Sequence, residues 1–431
     1  MCYAIPAKLV EIDGRYGIVD YFGERRKILL DEDEVAIGDY LFAQGGVFVK
    51  KIPDEEAEEI LDTWKDIFFE LKKVDQSLSK IDKDKVSENV LAVLQKVNHR
   101  KSLKLEELKT LFSMKDPKEL SVLYEVANHV RERSHGNACC VHGIIEFSNY
   151  CNNNCHYCGI RKDRDIPRFR MSEDEIVAIA KEAVDVHGFK ALVLQSGEDF
   201  HFDTDALIRI VTRVRALGTL VFVSVGMRSR ETYEKLWKAG ARGVLMRFES
   251  SNEECFNTLR PGTSFRARIA LLEELRKMGY VIATGFILGL PGETLDDVIN
   301  NILLTKQLGP DMYSFGPLIP TKGTPLENEK MPTVEDVLKV TAVARLNDAN
   351  ANILVTTALE TMSKEARKEG MMAGANSMMI NLTPSGCKAM YSIYDDRAGV
   401  EDEVSSAIGE AVDLLTSLGR APTDIGIARG V

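Results

Sequence analysis

Cys151-Asn152-Asn153-Asn154-Cys155-His156-Tyr157-Cys158 places three thiols within eight residues. Deprotonated, they are soft ligands suited to iron–sulfur chemistry. Four cysteines saturate a four-iron cluster. Three thiolates at C-x3-C-x2-C spacing would each take a different iron of one cubane and leave one iron open to another ligand. Two other chemistries compete for the same residues. Zinc needs a fourth ligand, and His156 points away along the same short loop. A thioredoxin-like pair of Cys155 and Cys158 would leave Cys151 without a role. The chain holds 8 cysteines in 431 residues, too sparse for a disulfide scaffold, so their placement is what informs. Cys139 and Cys140, read as preceding the first strand of the main body, and Cys255, in a helical window, are read as small apolar residues.

A loop of this kind needs a rigid frame. From Gly143 onward the pattern is strand, loop, helix, repeated. Apolar runs read as strands at Gly143–Phe147, Ala191–Leu194, Leu220–Val225, Val244–Phe248, Val281–Leu288, Met312–Phe315, Ile353–Thr356 and Ser377–Leu382. Helical windows separate them; one opens on the capping box Ser172-Glu173-Asp174-Glu175. About eight βα units in about 250 residues fit a closed (β/α)8 barrel of the TIM type. An open doubly wound sheet fits less well, because no Gly-x-Gly-x-x-Gly follows the first strand. In a barrel the cysteine loop, directly after the first strand, falls at the end where active sites are built.

Ahead of the barrel, the first 50 residues read as short strands. Lys8–Ile12, Tyr16–Asp20 and Asp39–Ala43 are punctuated by Asp13-Gly14, Phe22-Gly23 and Gly45-Gly46. This predicts a small, OB-like β-barrel. Glu55 to Leu71 then turns helical, with Ile60, Leu61, Trp64, Phe68 and Leu71 on one face. A Lys-, Asp- and Ser-rich stretch from Lys72 to about Lys85 reads as a linker, followed by helix to about Arg133. The expected division is 1–75 for the small barrel with its helix, 76–135 for linker and helical connection, and 136–431 for the large barrel with a C-terminal cap. With 66 acidic against 55 basic residues the net charge is −11, which disfavours a general nucleic-acid surface. No run reaches the ~20 apolar residues of a membrane helix and no signal peptide is read. The expectation is a cytoplasmic protein with a small-molecule substrate.

The cysteine motif resembles that of the radical S-adenosylmethionine (AdoMet) superfamily. There the open iron chelates the amino and carboxylate groups of AdoMet, and an electron from the cluster cleaves the sulfonium to a 5′-deoxyadenosyl radical. The resemblance implies a 4Fe-4S cluster on Cys151, Cys155 and Cys158, AdoMet, and an electron donor such as ferredoxin or flavodoxin. It implies that Tyr157 borders the adenine and that Ser196-Gly197-Glu198 meets the methionine amino group. Arg247 and Glu249 end strand four, where a guanidinium could hold the methionine carboxylate bidentately; a simple strand-capping ion pair is the other reading. Gly285-Phe286-Ile287-Leu288-Gly289 is similar to the Gly-x-Ile-x-Gly segment whose Ile287 would pack on adenine.

Longer stretches resemble one branch, the FeFe-hydrogenase maturase HydE and its relatives, with biotin synthase and methylornithine synthase as cousins. These are Ile144–Cys151, Val193–Asp199, Leu259–Phe265, Gly289–Thr294, Thr324–Leu326, Thr356–Ala358 and Asn381–Pro384. By that resemblance Gln195, Arg247, Ile287, Thr356 and Thr357 would line the AdoMet and substrate cavity. The implied activity is radical chemistry on a small sulfur- or iron-containing substrate during metallocofactor assembly. A mutase or synthase of the methylornithine or biotin synthase type is one alternative, and a non-catalytic metallochaperone scaffold another.

The N-terminus, Met1-Cys2-Tyr3-Ala4-Ile5-Pro6-Ala7-Lys8 with Ile37–Tyr40 and Asp54–Ala57, resembles the HypC/HupF hydrogenase-maturation chaperones. It implies that Cys2 is an iron ligand and that this domain meets a maturation partner protein. Three departures stand out. Gln44 replaces a chaperone-family histidine, and Met227 follows Gly226 where HydE proteins usually carry an acid. Cys387 stands alone in the region where some relatives hold an accessory cluster, so no second cluster is expected.

Overall fold

The computed structural model describes residues 5–30, 35–81 and 103–423, with residues 88, 92, 93, 96 and 97 between them. Cys2 and the last residues of the expected linker, 82–85, lie outside the described residues.

Five short strands, β1 (Ala7–Asp13), β2 (Tyr16–Tyr21), β3 (Glu24–Leu29), β4 (Tyr40–Gln44) and β5 (Val47–Ile52), close into a small barrel in the order β1-β2-β3-β5-β4. The β4–β5 hairpin turns on Gly45 and Gly46, both at positive φ (55° and 78°), as a two-residue turn matching strand twist requires. Helix α1 (Asp54–Leu78) lays Trp64, Phe68 and Leu71 on Leu9, Tyr21 and Ile28. It runs past the expected stop at Leu71 and takes up residues read as linker. The reason is Asp75, which is buried and held by arginines rather than by water.

Two helices, α2 (Leu105–Ser113) and α3 (Pro117–His135), lead to the main body. Its strands are β6 (Ala138–Ser148), β7 (Ala191–Ser196), β8 (Leu220–Ser224), β9 (Ala241–Leu245), β10 (Val281–Thr284), β12 (Met312–Tyr313), β14 (Asn352–Ile353) and β15 (Ser377–Asn381). They pair in parallel in the order β14-β12-β10-β9-β8-β7-β6-β15. The ring closes where Leu354 bridges Ser377 and the Val355 N–H donates to the Ser377 carbonyl at 2.8 Å. The expected (β/α)8 barrel is therefore the fold. Cys139 and Cys140 lie inside β6 rather than ahead of it, one facing the helices and the other the barrel interior. The strand expected at Val281–Leu288 breaks at Gly285. It resumes as β11 (Ile287–Leu288), which pairs with β13 (Gly316–Pro317) above the ring.

The small barrel sits on the N-terminal mouth of the large one. Phe42, Val47, Val49 and Ile52 pack against Ile144, Ala191, Val193, Leu220, Phe222 and Val281, the lower inward-facing residues of the strands. Lys190 covers the Phe42 ring at 4.5 Å. The last short strand, β16 (Ala421–Pro422), pairs with the start of β6. Beside it Asp75 receives a bidentate pair from Arg131 (2.7 and 2.7 Å) and forms an ion pair with Arg420, whose Nε lies 2.9 Å away. Three segments far apart in sequence are thus tied at one end of the barrel, which leaves the opposite end for chemistry.

Candidate active site

The cysteine loop leaves β6 and is fastened on several sides. The Asn152 N–H donates to the Glu198 carbonyl (3.0 Å), that of His156 to Leu259 (2.9 Å), and that of Gly159 to Ile393 (2.7 Å). Asn154 and Asp163 bind each other across the loop at 2.6 and 3.0 Å. Cys151, Cys155 and Cys158 form no disulfide. Burial pushes all three thiols above their ordinary range, and for Cys158 the two neighbouring thiols add to it. Among the described residues no three His, Cys, Asp or Glu side chains converge on one point as a single metal ion would need.

The loop borders a cavity of about 350 Å³ at the C-terminal end of the strands. Its wall includes all three cysteines and every one of Tyr157, Gln195, Ser196, Gly197, Glu198, Arg247, Glu249, Ile287, Thr356 and Thr357. Strand parity explains the convergence. Inward positions alternate along each strand, so Glu146, Gln195 and Ser224 stand side by side and bond in sequence, Gln195 to Glu146 at 3.4 Å and Ser224 to Gln195 at 3.3 Å. At the strand ends, side chains must share space with backbone. A Cβ on Gly197 would lie 2.2 Å from the Tyr150 carbonyl oxygen, and one on Gly226 would lie 1.9 Å from Glu198 Cγ. Only glycine lets these loops close on the cavity.

The polar side of the wall is a loose web. Glu198 lies 3.4 Å from Arg268 and 3.5 Å from Arg260. Glu249, held at φ 68°, lies 3.1 Å from Arg247 and 3.7 Å from Arg260. Only the Arg260 bond to the Tyr157 hydroxyl is short, at 2.7 Å. Burial alone would lower Arg260, but Tyr157, Cys155 and the two carboxylates hold it well above its ordinary range. Burial and then Arg260 lower Arg268. Arg260 Nε, Arg268 Nε and Thr356 Oγ1 are buried without a hydrogen-bond partner. Such groups are costly to leave unmade, and they fit a ligand bearing a carboxylate. Opposite them Ile287 packs with Leu259, Leu290, Leu318 and Leu326, a cluster that Tyr157 also meets, giving an apolar slot for a planar ring.

Several cavity residues were not singled out in the sequence. Glu146 is fully buried and takes a bidentate pair from Arg397 (2.6 and 3.0 Å) and a bond from Asn381 (2.8 Å). Tyr391 and Tyr394 stand beside them. A charged residue at an inward position of an apolar strand was a readable signal for Glu146; Arg397 had none. Met227 borders a separate groove with Phe200 and Arg228 and is not on the cavity wall. Gln44 is buried and donates to Thr423 at 3.3 Å. Cys387 is half-buried on a short helix.

Comparisons with known proteins agree in outline. Residues 145–304 match the Radical SAM superfamily, residues 1–64 the HupF/HypC family, and residues 314–425 the Biotin and Thiamin Synthesis associated domain. The chain is 37% identical over 331 residues to the [FeFe] hydrogenase maturase subunit HydE of Thermotoga maritima, covering 77% of this chain and 94% of that protein. The 3-methylornithine synthase of Methanosarcina acetivorans is 29% identical over 320 residues, or 74% of this chain and 89% of its own. Among solved structures, methylornithine synthase (PylB) superposes with a TM-score of 0.69 at 26% identity over 77% of this chain and 97% of its own. The maturase HydG superposes at 0.67 with 20% identity, covering 85% of this chain and 80% of its own, a likeness of fold alone.

Proposed function

The chain belongs to the HydE family of radical SAM enzymes, with a HupF/HypC domain at its N-terminus, and from that premise we propose a role in maturing a hydrogenase-type metallocofactor. Enzymes of this superfamily use a 4Fe-4S cluster and AdoMet. A cluster held by Cys151, Cys155 and Cys158 would supply the electron that cleaves AdoMet to methionine and a 5′-deoxyadenosyl radical. This chain's residues bind and orient. Arg260 and Arg268 offer unmet donors to the methionine carboxylate, Glu198 and Glu249 accept from its amino group, and Ile287 and Tyr157 bracket the adenine. Gln195, Thr356, Thr357 and the Glu146–Arg397 pair face the remaining space, where a small sulfur- or iron-containing substrate would sit. The wall keeps water out from below, because the small barrel closes the other mouth.

The observation that carries this reading is that one cavity gathers every described residue named for cluster or cofactor. The greater identity to HydE favours the maturase reading over a mutase or synthase one, and the intact Cys151, Cys155 and Cys158 set weighs against a purely scaffolding one. The HupF/HypC domain supports the proposal that a maturation partner meets this chain and that Cys2 holds an iron unit. With the small barrel at the far mouth and the axis filled by Phe222, Val193 and Ile144, such a unit would travel outside the barrel or between molecules. An anaerobically reconstituted sample should carry four irons and release 5′-deoxyadenosine with dithionite. A four-iron sample that binds AdoMet and never cleaves it would sink the enzymatic reading. A Cys2→Ala variant with full maturation activity in cells would remove the iron-carrying role.

A further inference from the structure

Two loops bring cofactor-facing residues to the cavity from neighbouring strands. One follows β9 and carries Arg247 and Glu249; the other surrounds β11 and carries Ile287. They touch through backbone, the Ile287 N–H donating to the Glu249 carbonyl at 2.9 Å. Between them Glu249 holds a left-handed φ of 68°, a conformation that persists in a non-glycine residue only when its surroundings enforce it.

The Glu249 N–H donates to the Gly285 carbonyl at 3.1 Å, so its backbone is held on both sides, and further support lies behind the wall. Asn301, on the helix Leu295–Leu308, is fully buried. Its side-chain oxygen accepts from the Ser251 N–H at 2.6 Å, two residues after Glu249. Its amide donates to Glu293 Oε1 at 3.2 Å. The other Glu293 oxygen accepts from the Gly289 N–H at 2.6 Å, two residues after Ile287. Neither Glu293 nor Asn301 lines the cavity. We infer that Glu293 and Asn301 are positioning residues, a half-buried carboxylate and a buried amide from which both AdoMet-facing loops hang, so that loosening one loosens the other. The inference rests on the AdoMet reading above for its functional consequence, but not for the clamp itself.

The clamp needs two acceptors on Glu293. Burial, and then Asp297, pushes its carboxyl up to about 7. The titratable groups facing it are Asp297 in the first turn of the helix that follows it, and Glu254 and Cys255 on the facing helix Glu253–Leu259, with no cation among these described neighbours. Once protonated, one Glu293 oxygen carries a hydrogen toward a donor, either Gly289 or Asn301. The hold on AdoMet should therefore weaken as pH falls through about 7. Glu293→Gln copies the protonated state permanently.

The test uses the reconstituted holoprotein. Hydrogen exchange without AdoMet should rise in segments 249–252 and 287–292 together in Asn301→Ala, the rest of the barrel keeping its protection. The KM for AdoMet should rise about tenfold, as for outer-layer partners of other sites, with kcat at saturating AdoMet nearly unchanged. In the parent protein this KM should climb from about pH 8 to about pH 6; in Glu293→Gln it should be flat, at the parent's low-pH value. Unchanged exchange in either loop, exchange raised throughout the barrel, or a Glu293→Gln variant keeping the parent's pH dependence would each overturn the clamp. Should the parent holoprotein bind no AdoMet, the cofactor reading fails, and the exchange measurement alone decides the clamp.

Discussion

The molecule buries arginine–carboxylate networks at both ends of its large barrel, and they are built differently. At the N-terminal end Arg131 meets Asp75 at 2.7 Å through both Nη atoms and also donates to Ser79, Asn128 and the Gly136 carbonyl. Arg420 reaches the same carboxylate at 2.9 Å, and Arg345 spends its donors on Gly374, Ala349 and Asn376. At the cavity end the separations between Glu198 or Glu249 and Arg260 or Arg268 are 3.4 to 3.7 Å, and guanidinium nitrogens are left over. The first network is all but finished by the protein, with only the Arg420 Nε lacking a well-formed hydrogen bond. The second leaves buried donors that a bound carboxylate would satisfy. Charge and burial are alike at the two ends; what differs is how far the groups around Glu198 and Glu249 are left unsatisfied, the Glu146–Arg397 pair of the same cavity being fully bonded.

The largest effect should come from removing what the cavity network surrounds. Cys155→Ala should abolish cluster uptake and 5′-deoxyadenosine formation while the far network stays whole. Iron analysis and chemical unfolding check the two halves; a variant that keeps four irons would break the assignment of the cysteines.

Next in size is the finished network. Asp75→Ala leaves Arg131 and Arg420 buried without a counter-charge and should cost about 3–5 kcal/mol, read as an earlier urea midpoint. The KM for AdoMet of the folded fraction should not move. Arg260→Met should do the reverse. It removes a donor to Tyr157 and to the ligand, so the KM for AdoMet should rise by 10- to 100-fold or so, with a small change in urea midpoint. If the two variants shifted the same quantity, the contrast between the networks would be lost.

Legibility in the sequence follows the same divide. Cys151, Cys155 and Cys158 were readable because their spacing is local, Arg247 because it ends a strand whose place in a barrel is fixed, and Gln195 and Thr356 only through the resemblance to HydE. Glu146 with Arg397, 251 residues apart, and Asp75 with Arg420 were not, since no local pattern marks a partner brought in by tertiary packing. Helix α1 overran its expected end for the same reason: Lys72 and Lys73 look like linker unless one knows that Asp75 is buried. Arg260 lay within a recognised stretch, yet an arginine beside Pro261 reads as surface until Tyr157 is placed against it.

The smallest expected effect tests whether the finished network depends on one neutral ring. Arg345 Nη1 lies 3.1 Å from His135 Nε2. A guanidinium can only donate, so that nitrogen must be the lone-pair side of a neutral imidazole. Burial, and then Arg345, accordingly hold His135 well below 6.5. The unfolded chain takes up a proton near pH 6.5 that the folded chain refuses, so the unfolded state binds more protons and stability rises with pH in that window. The contribution is present above about pH 6.5 and is lost as pH falls toward the folded value, at up to about 1.4 kcal/mol per pH unit. His135→Gln keeps an acceptor for Arg345 without a titrating ring. Its urea midpoint should lose part of the parent's acid sensitivity between about pH 6.5 and 5, while the AdoMet KM follows the parent at every pH. An identical acid slope in the two proteins would show that His135 is not held neutral, and that Arg345 is satisfied some other way.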